Sequence, residues 1–107
     1  MMRAIHPLTR LNPYEALKVG DGGDVPFKEV YEPEVAHRDI EHFISTFSAV
    51  GTQIIAIGGD HSITLPVLRG LKCSEPLGLI HVDAHTDTWD EFMGSRYTHG
   101  APFRRAV

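Results

Sequence analysis

Hydrophobic positions recur at helical spacing in the middle of the chain and form two short continuous runs after it. Between residues 34 and 50 the apolar side chains lie three or four positions apart, at Ile40, Phe43, Ile44, Phe47 and Val50. This spacing predicts an amphipathic helix. The runs at residues 53–57 and 77–82 predict buried strands, and the segment between them, residues 64–71, predicts a second helix. Together they predict a β-α-β unit with parallel strands.

The first 33 residues have a different character. They contain four prolines and the glycine-rich turn at residues 20–24, which predict irregular structure around one short strand at residues 16–19. Near the other end, Pro102 predicts the start of a further helix. The chain therefore divides into an irregular segment, residues 1–33, and an α/β part, residues 34–107.

Composition narrows the function classes. The chain has 107 residues, 42% hydrophobic content and a formal net charge of −4, which fits one core and offers no basic surface for nucleic acid. The sequence contains no run of 18 apolar residues, so it predicts no membrane-spanning helix. A single cysteine, Cys73, excludes an internal disulfide framework, and we expect it to be packed at the end of the second helix. The expected compartment is the cytoplasm.

Four potential metal ligands follow the two apolar runs. His61 comes after the first run, and Asp83, His85 and Asp87 alternate after the second. In an extended chain, side chains at alternate positions leave on the same side, so these three are expected to converge. Carboxylates mixed with imidazole, without thiolate, favour Mn(II), Fe(II) or Zn(II), and manganese is the first choice.

Structural roles account for the other polar residues nearby. Asp60 is expected to cap the helix after it, and His81 to be a hydrogen-bonded strand residue rather than a ligand. Three further histidines are assigned to the surface: His6, His37 and His42. Trp89 and Phe92 fit equally well as substrate-pocket or packing residues.

Three segments together resemble a known family. Residues 59–62 (Gly-Asp-His-Ser), 83–87 (Asp-Ala-His-Thr-Asp) and 97–105 (Tyr-Thr-His-Gly-Ala-Pro-Phe-Arg-Arg) resemble the ureohydrolases, the arginase and agmatinase family, and look most like the agmatinase branch. The resemblance covers residues 12 to 107. It implies the three-layer α-β-α ureohydrolase fold around a parallel sheet, present here in part as a β-α-β core with a preceding amphipathic helix.

The resemblance also implies roles for single residues. His61 and Asp87 would be terminal ligands of one Mn²⁺, His85 a ligand of a second, Asp83 a bridge between them, and His99 the proton donor to the leaving amine. The implied reaction is hydrolysis of agmatine to putrescine and urea, in a homo-oligomer. The alternatives are guanidinobutyrate and guanidinopropionate as substrates.

Two departures from the family pattern matter. Trp89 stands where arginases carry an Asn for the amino-acid head group, which favours a guanidino substrate without that group. A later motif, S-x-D-x-D-x-x-D-P, is absent, so only four of the six implied ligands are present. We therefore expect these 107 residues alone to be inactive, with exposed apolar surface. A non-catalytic paralogue that binds complete subunits is an alternative, and a dinuclear phosphoesterase is a remote one.

Overall fold

The computed structural model describes residues 5–71 and 73–106. Within these ranges the elements follow one another as short helices joined by long loops. They are α1 (Pro13–Ala16), α2 (Pro33–Ser48), a 3₁₀ helix (His61–Ile63), α3 (Thr64–Gly70) and α4 (Pro102–Ala106). None of the helices in the described part has the length and apolar character needed to cross a membrane.

The amphipathic helix predicted for residues 34–50 is confirmed as α2. It begins with Pro33 at its first position, where the missing N–H costs nothing because the first turn has no intrahelical partners to donate to. Its buried positions are His37, Ile40 and Ile44. They are separated by three and four residues, so they share one face. Through this face α2 packs against the rest of the core.

The core is small and lies where α3 packs against α2 and α4. Its buried hydrophobic residues in the described part are Ile40, Ile44, Leu65, Ala101 and Phe103. Gly70 is also buried, at the end of α3. Because it has no side chain, the backbones of α3 and α2 can approach closely at this point. The helix predicted at residues 64–71 is therefore confirmed, and the 3₁₀ turn that carries His61 directly precedes it.

The parallel sheet is not confirmed. Neither residues 53–57 nor residues 77–82 form a strand in the described chain, which contains only one isolated antiparallel bridge, between Phe92 and Ser95. Four apolar side chains of the two runs are almost fully exposed, at 90% for Ile55, 94% for Ile57, 90% for Ile80 and 91% for Val82. A strand of a parallel sheet needs hydrogen-bonding neighbours and helices on both faces. These runs have apolar sequence without either.

Two local predictions were wrong. The strand expected at residues 16–19 is replaced at its start by α1, because the Asn12 side chain accepts a hydrogen bond from the Tyr14 N–H and Pro13 occupies the first helical position. Cap and proline together favour a helical turn over an edge strand. Cys73 is exposed rather than packed, since α3 ends at Gly70, before the chain reaches it.

Candidate metal centre

The loop before α3 sets the position of His61. Asp60 has extended backbone, and its carboxylate accepts a hydrogen bond of 2.8 Å from the Ser62 N–H. This is an N-cap, so the capping role predicted for Asp60 is confirmed. Partial burial acts to raise the pKa of Asp60, but hydrogen bonds from Ser62 outweigh it and the pKa lies below its usual value. Asp60 therefore caps as a carboxylate.

Four side chains gather beside this turn. One ligand atom from each of His61, His81, Asp83 and Asp87 lies within 4.8 Å of the others. His61 Nδ1 is 2.6 Å from Asp87 Oδ2 and 3.7 Å from Asp83 Oδ2. His81 Nε2 lies 3.6 Å from the same Asp83 oxygen. Three predicted ligands thus meet here, together with His81, which was expected to have only a structural role.

His85 lies outside this group. The Asp83 carboxylate oxygen Oδ1 accepts a hydrogen bond of 2.9 Å from the His85 N–H, an Asx-type turn that bends the chain instead of extending it. The His85 side chain is 81% exposed, with Nδ1 3.5 Å from Asp83 Oδ1. The alternation expected of a strand is not formed at these residues. Asp83 nevertheless has imidazoles near both of its carboxylate oxygens.

Backbone conformation and an aromatic residue hold the cluster in place. Asp87 adopts a left-handed conformation, with φ of 49°, which Asp tolerates better than most residues. Its carbonyl oxygen accepts a hydrogen bond of 3.1 Å from the Phe103 N–H. The buried Phe103 ring packs against His81 and His61, at centroid distances of 4.2 and 5.8 Å. The start of α4 therefore supports both histidines.

The surroundings of Asp83 favour its ionised form. The His85 N–H hydrogen bond, followed by the nearby His81 and His61, lowers the pKa of Asp83 below its ordinary value. An acceptor-only carboxylate among imidazoles is the state that binds a divalent cation. The donor set combines imidazole nitrogens with carboxylate oxygens and contains no thiolate, so it suits a metal of intermediate hardness.

His99 and its aromatic neighbours occupy a separate loop. Phe92 and Ser95 form a two-bond turn, with positive φ at Met93 (51°) and Gly94 (79°), as in a type I′ hairpin. The Phe92 ring lies 5.8 Å from that of His99 and 5.2 Å from that of Trp89. Trp89 remains 55% exposed. It therefore packs on one side and leaves surface free for a ligand.

Comparison with known proteins shows to which family the chain belongs. The model of the arginase family matches residues 1–107 of this sequence. The chain belongs to the arginase family.

Individual members of the arginase family align over the whole chain. It is 44% identical to the guanidinopropionase of Pseudomonas aeruginosa, covering 100% of this chain and 34% of that protein. It is 42% identical to the mitochondrial guanidino acid hydrolase of Homo sapiens and 41% identical to the mitochondrial agmatinase of Gallus gallus, of which it covers 30% and 32%. The chain thus spans about a third of the length of these curated relatives.

Arg105 ties α4 to the loop that carries Trp89. Its guanidinium donates to the carbonyl and carboxylate oxygens of Asp90 and, over 3.4 Å, to the Ala101 carbonyl. We expect Arg105→Ala to lower the melting temperature more than Asp90→Asn, because the second change leaves both carbonyl contacts intact. Differential scanning fluorimetry of the complete polypeptide that carries this sequence measures both. If both variants lowered the melting temperature equally, only the exposed ion pair between Arg105 and Asp90 would contribute to stability, and the two carbonyl contacts would not.

One histidine assigned to the surface is buried instead. His37 is only 7% exposed, its Nε2 lies 3.2 Å from Ser62 Oγ, and its ring meets Tyr97 edge-on. Its spacing from Ile40 and Ile44, three and seven residues, places it on the buried face of α2. That pattern was the available signal, and it was outweighed by the usual preference of histidine for exposure.

The burial of His37 predicts a pH dependence of stability. Burial, and then the nearby Arg69, lower the pKa of His37, with Asp60 opposing them weakly. The unfolded chain, with a pKa near 6.5, therefore takes up a proton first as the pH falls. We expect the free energy of unfolding to decrease below about pH 6.5 down to the folded-state pKa. Denaturant titrations between pH 5 and 7.5 should show a shallower slope for His37→Gln, and an unchanged slope for the exposed His42→Gln.

Proposed function

We propose that the complete polypeptide carrying this sequence is a manganese-dependent hydrolase of a linear guanidino compound, which it converts to urea and an amine. One observation carries the proposal. A family whose named relatives include guanidinopropionase and agmatinase aligns with a chain in which His61, Asp83 and Asp87 converge. Hydrolysis of guanidino compounds is the activity that this donor set would serve.

The donor set fits the proposed metal. Carboxylate oxygens and imidazole nitrogens within 4.8 Å of one another form a mixed set that Mn(II) accepts and that contains no thiolate. In the proposed arrangement His61 and Asp87 hold one ion, and His85 belongs to the second. His81, supported by Phe103, is either an additional donor or a partner that orients the Asp83 carboxylate.

Asp83 is the proposed bridge. Its Oδ2 faces His61 and His81, at 3.7 and 3.6 Å, while its Oδ1 faces His85, at 3.5 Å. If two ions were bound, a carboxylate with one oxygen toward His61 and His81 and the other toward His85 could contribute to holding both. This two-sided placement supports the role that the family resemblance implies.

The reaction needs help because a guanidinium is delocalised, remains protonated at neutral pH, and is a poor electrophile. Two divalent ions held by these residues would lower the pKa of a water molecule and so make a nucleophile available at neutral pH. Asp83 and Asp87 offset the positive charge that would repel the cationic substrate. As the bond between the central carbon and the substituted nitrogen breaks, His99 delivers a proton to that nitrogen, so that a neutral amine departs.

His99→Asn tests the proton transfer. We expect kcat for urea release to fall by about 10²- to 10⁴-fold, the range for loss of a general acid, while manganese affinity stays within twofold because His99 lies outside the metal group. Steady-state assays and metal titration of the same preparation measure the two quantities. A normal kcat in the variant would remove His99 from the mechanism.

The substrate is proposed as agmatine or a guanidino acid, without an α-amino acid group. The partly exposed Trp89, packed against Phe92, offers an aromatic surface instead of an amide. Relatives named for guanidinopropionate and for agmatine support both choices equally. Urea release from agmatine, 4-guanidinobutyrate, 3-guanidinopropionate and arginine, each with and without Mn²⁺, tests the proposal. Arginine should be the poorest substrate, and failure of all four would refute it.

Assembly and compartment complete the proposal. We expect a homo-oligomer in the cytoplasm, although two of the relatives have mitochondrial in their names. Light scattering of the purified polypeptide and fractionation of the source cells measure these two properties.

A further inference from the structure

His37 lies between two loops that are far apart in sequence. Its Nε2 contacts Ser62 Oγ at 3.2 Å, across 25 residues. Its ring meets the Tyr97 ring edge-on, with centroids 5.3 Å apart and planes at 88°. Helix α2, which carries His37, packs against α3, and the His37 side chain is buried. A rigid element thus contacts both loops through one side chain.

These contacts stand next to proposed functional residues. Ser62 directly follows His61, and Tyr97 precedes His99 by two positions. We propose that His37 is a positioning residue that sets the His61 turn and the His99 loop in a fixed relation. The inference rests on the proposed function, since it concerns residues assigned there.

The chemistry of the contact suits a neutral imidazole. Such a ring has one donor and one acceptor nitrogen, and a hydroxyl can pair with either. Ser62 also donates its N–H to Asp60 over 2.8 Å. The chain His37–Ser62–Asp60 therefore joins α2 to the cap of the turn that carries His61. A shift of the His37 ring would be passed on to that turn.

Few contacts hold the ring itself. His37 Nδ1 and Thr98 Oγ1 are buried without a hydrogen-bond partner in the described part of the chain. Both residues line a cavity of about 480 Å³ that His99 also borders. The imidazole thus contacts the His61 turn through Ser62 and the His99 loop through Tyr97, and substitution of either residue removes the contact to one loop only. This makes the two neighbours separately testable.

A positioning role and a simple packing role differ in what they change. If His37 only fills space, its replacement lowers stability and leaves the metal site intact. If it positions the His61 turn, replacement weakens metal binding as well, by about 10- to 100-fold, as found for residues that orient metal ligands. Metal affinity therefore separates the two roles.

The test uses the complete polypeptide and measures Mn²⁺ affinity from the electron paramagnetic resonance signal of free Mn²⁺, together with kcat and KM for urea release. We expect His37→Gln and Ser62→Ala each to weaken Mn²⁺ binding by about 10- to 100-fold, and the double variant to be no worse than the weaker-binding single variant, because both changes break one contact. Tyr97→Leu should lower kcat without changing Mn²⁺ affinity. His42→Gln, an exposed change on the same helix, is the control.

The outcomes separate the two proposals. If His37→Gln matches His42→Gln in affinity and kcat and lowers only the melting temperature, His37 merely packs and the inference is overturned while the proposed function stands. If wild type binds Mn²⁺ but releases no urea, the function is overturned and the affinities still decide the inference. Absence of Mn²⁺ binding by wild type would overturn both. Should His37→Gln fail to fold, Ser62→Ala and Tyr97→Leu decide.

Discussion

Replacing Asp83 with Asn is expected to abolish urea release and to weaken Mn²⁺ binding by more than about 100-fold, the upper end of the loss seen when only a supporting residue is removed. The substitution keeps the size of the side chain but removes its charge and turns one of its two oxygens into a donor. Both oxygens face histidines in the structure. An amide would therefore point its NH₂ at one of the proposed ions.

Glu91→Gln provides the matched control for this experiment. Glu91 is exposed in the same loop region, so its replacement changes the net charge by the same amount without touching the cluster. Isothermal titration with Mn²⁺ and a colorimetric urea assay measure both variants. Binding by Asp83→Asn equal to that of Glu91→Gln would show that Asp83 is not a ligand.

Gly70→Ala is expected to destabilise the fold despite the better helix propensity of alanine. A Cβ at this position would lie 2.7 Å from Ile44 Cβ and Cγ2 and 2.8 Å from the Glu41 carbonyl oxygen. The Ile44 Cβ is bonded directly to the backbone of α2 and the Glu41 oxygen is part of it, so rotation of a side chain cannot relieve the clash. Overpacking of this kind costs about 1–3 kcal/mol.

The sign of the effect makes the result diagnostic. Helix propensity favours alanine over glycine by roughly 1 kcal/mol in a helix interior and by less at Gly70, the last residue of α3, whereas the packing of α3 on α2 predicts a loss. Gly20→Ala is the control, because its Cβ would meet no atom within 4 Å. Chemical denaturation of the complete polypeptide measures both. A stabilised Gly70→Ala variant would refute the close approach of the two helices.

Sequence periodicity predicted α2 and α3 but not α1, because the signals for α2 and α3 lie within their own segments. Helix α2 has apolar residues at 3.6-residue spacing and a proline at its first position. The sheet could not be predicted with the same success. An apolar run such as residues 53–57 signals burial, but a strand forms only if other segments pair with it, and in the described chain Ile55 and Ile57 remain exposed.

In the candidate site too, features set by neighbouring residues were easier to predict than contacts between segments distant in sequence. His61, Asp83 and Asp87 were expected together, and the structure places them together. The extended strand that was expected to bring them together is not formed. An Asx-type turn at Asp83 and left-handed backbone at Asp87 take its place. His81 was set aside although it precedes Asp83 by two residues. The spacing of His37 from Ile40 and Ile44 signalled its burial, but its contacts with Ser62 and Tyr97 join segments that a sequence pattern alone does not bring near α2.

The central claim is that the cluster around Asp83 binds manganese. Anomalous diffraction at the manganese absorption edge, from crystals of the complete polypeptide grown with Mn²⁺, tests it most directly. We expect two anomalous peaks, one in contact with His61 and Asp87, the other with His85, and both with Asp83. Strong peaks elsewhere, with none at these side chains in a preparation that releases urea, would contradict it.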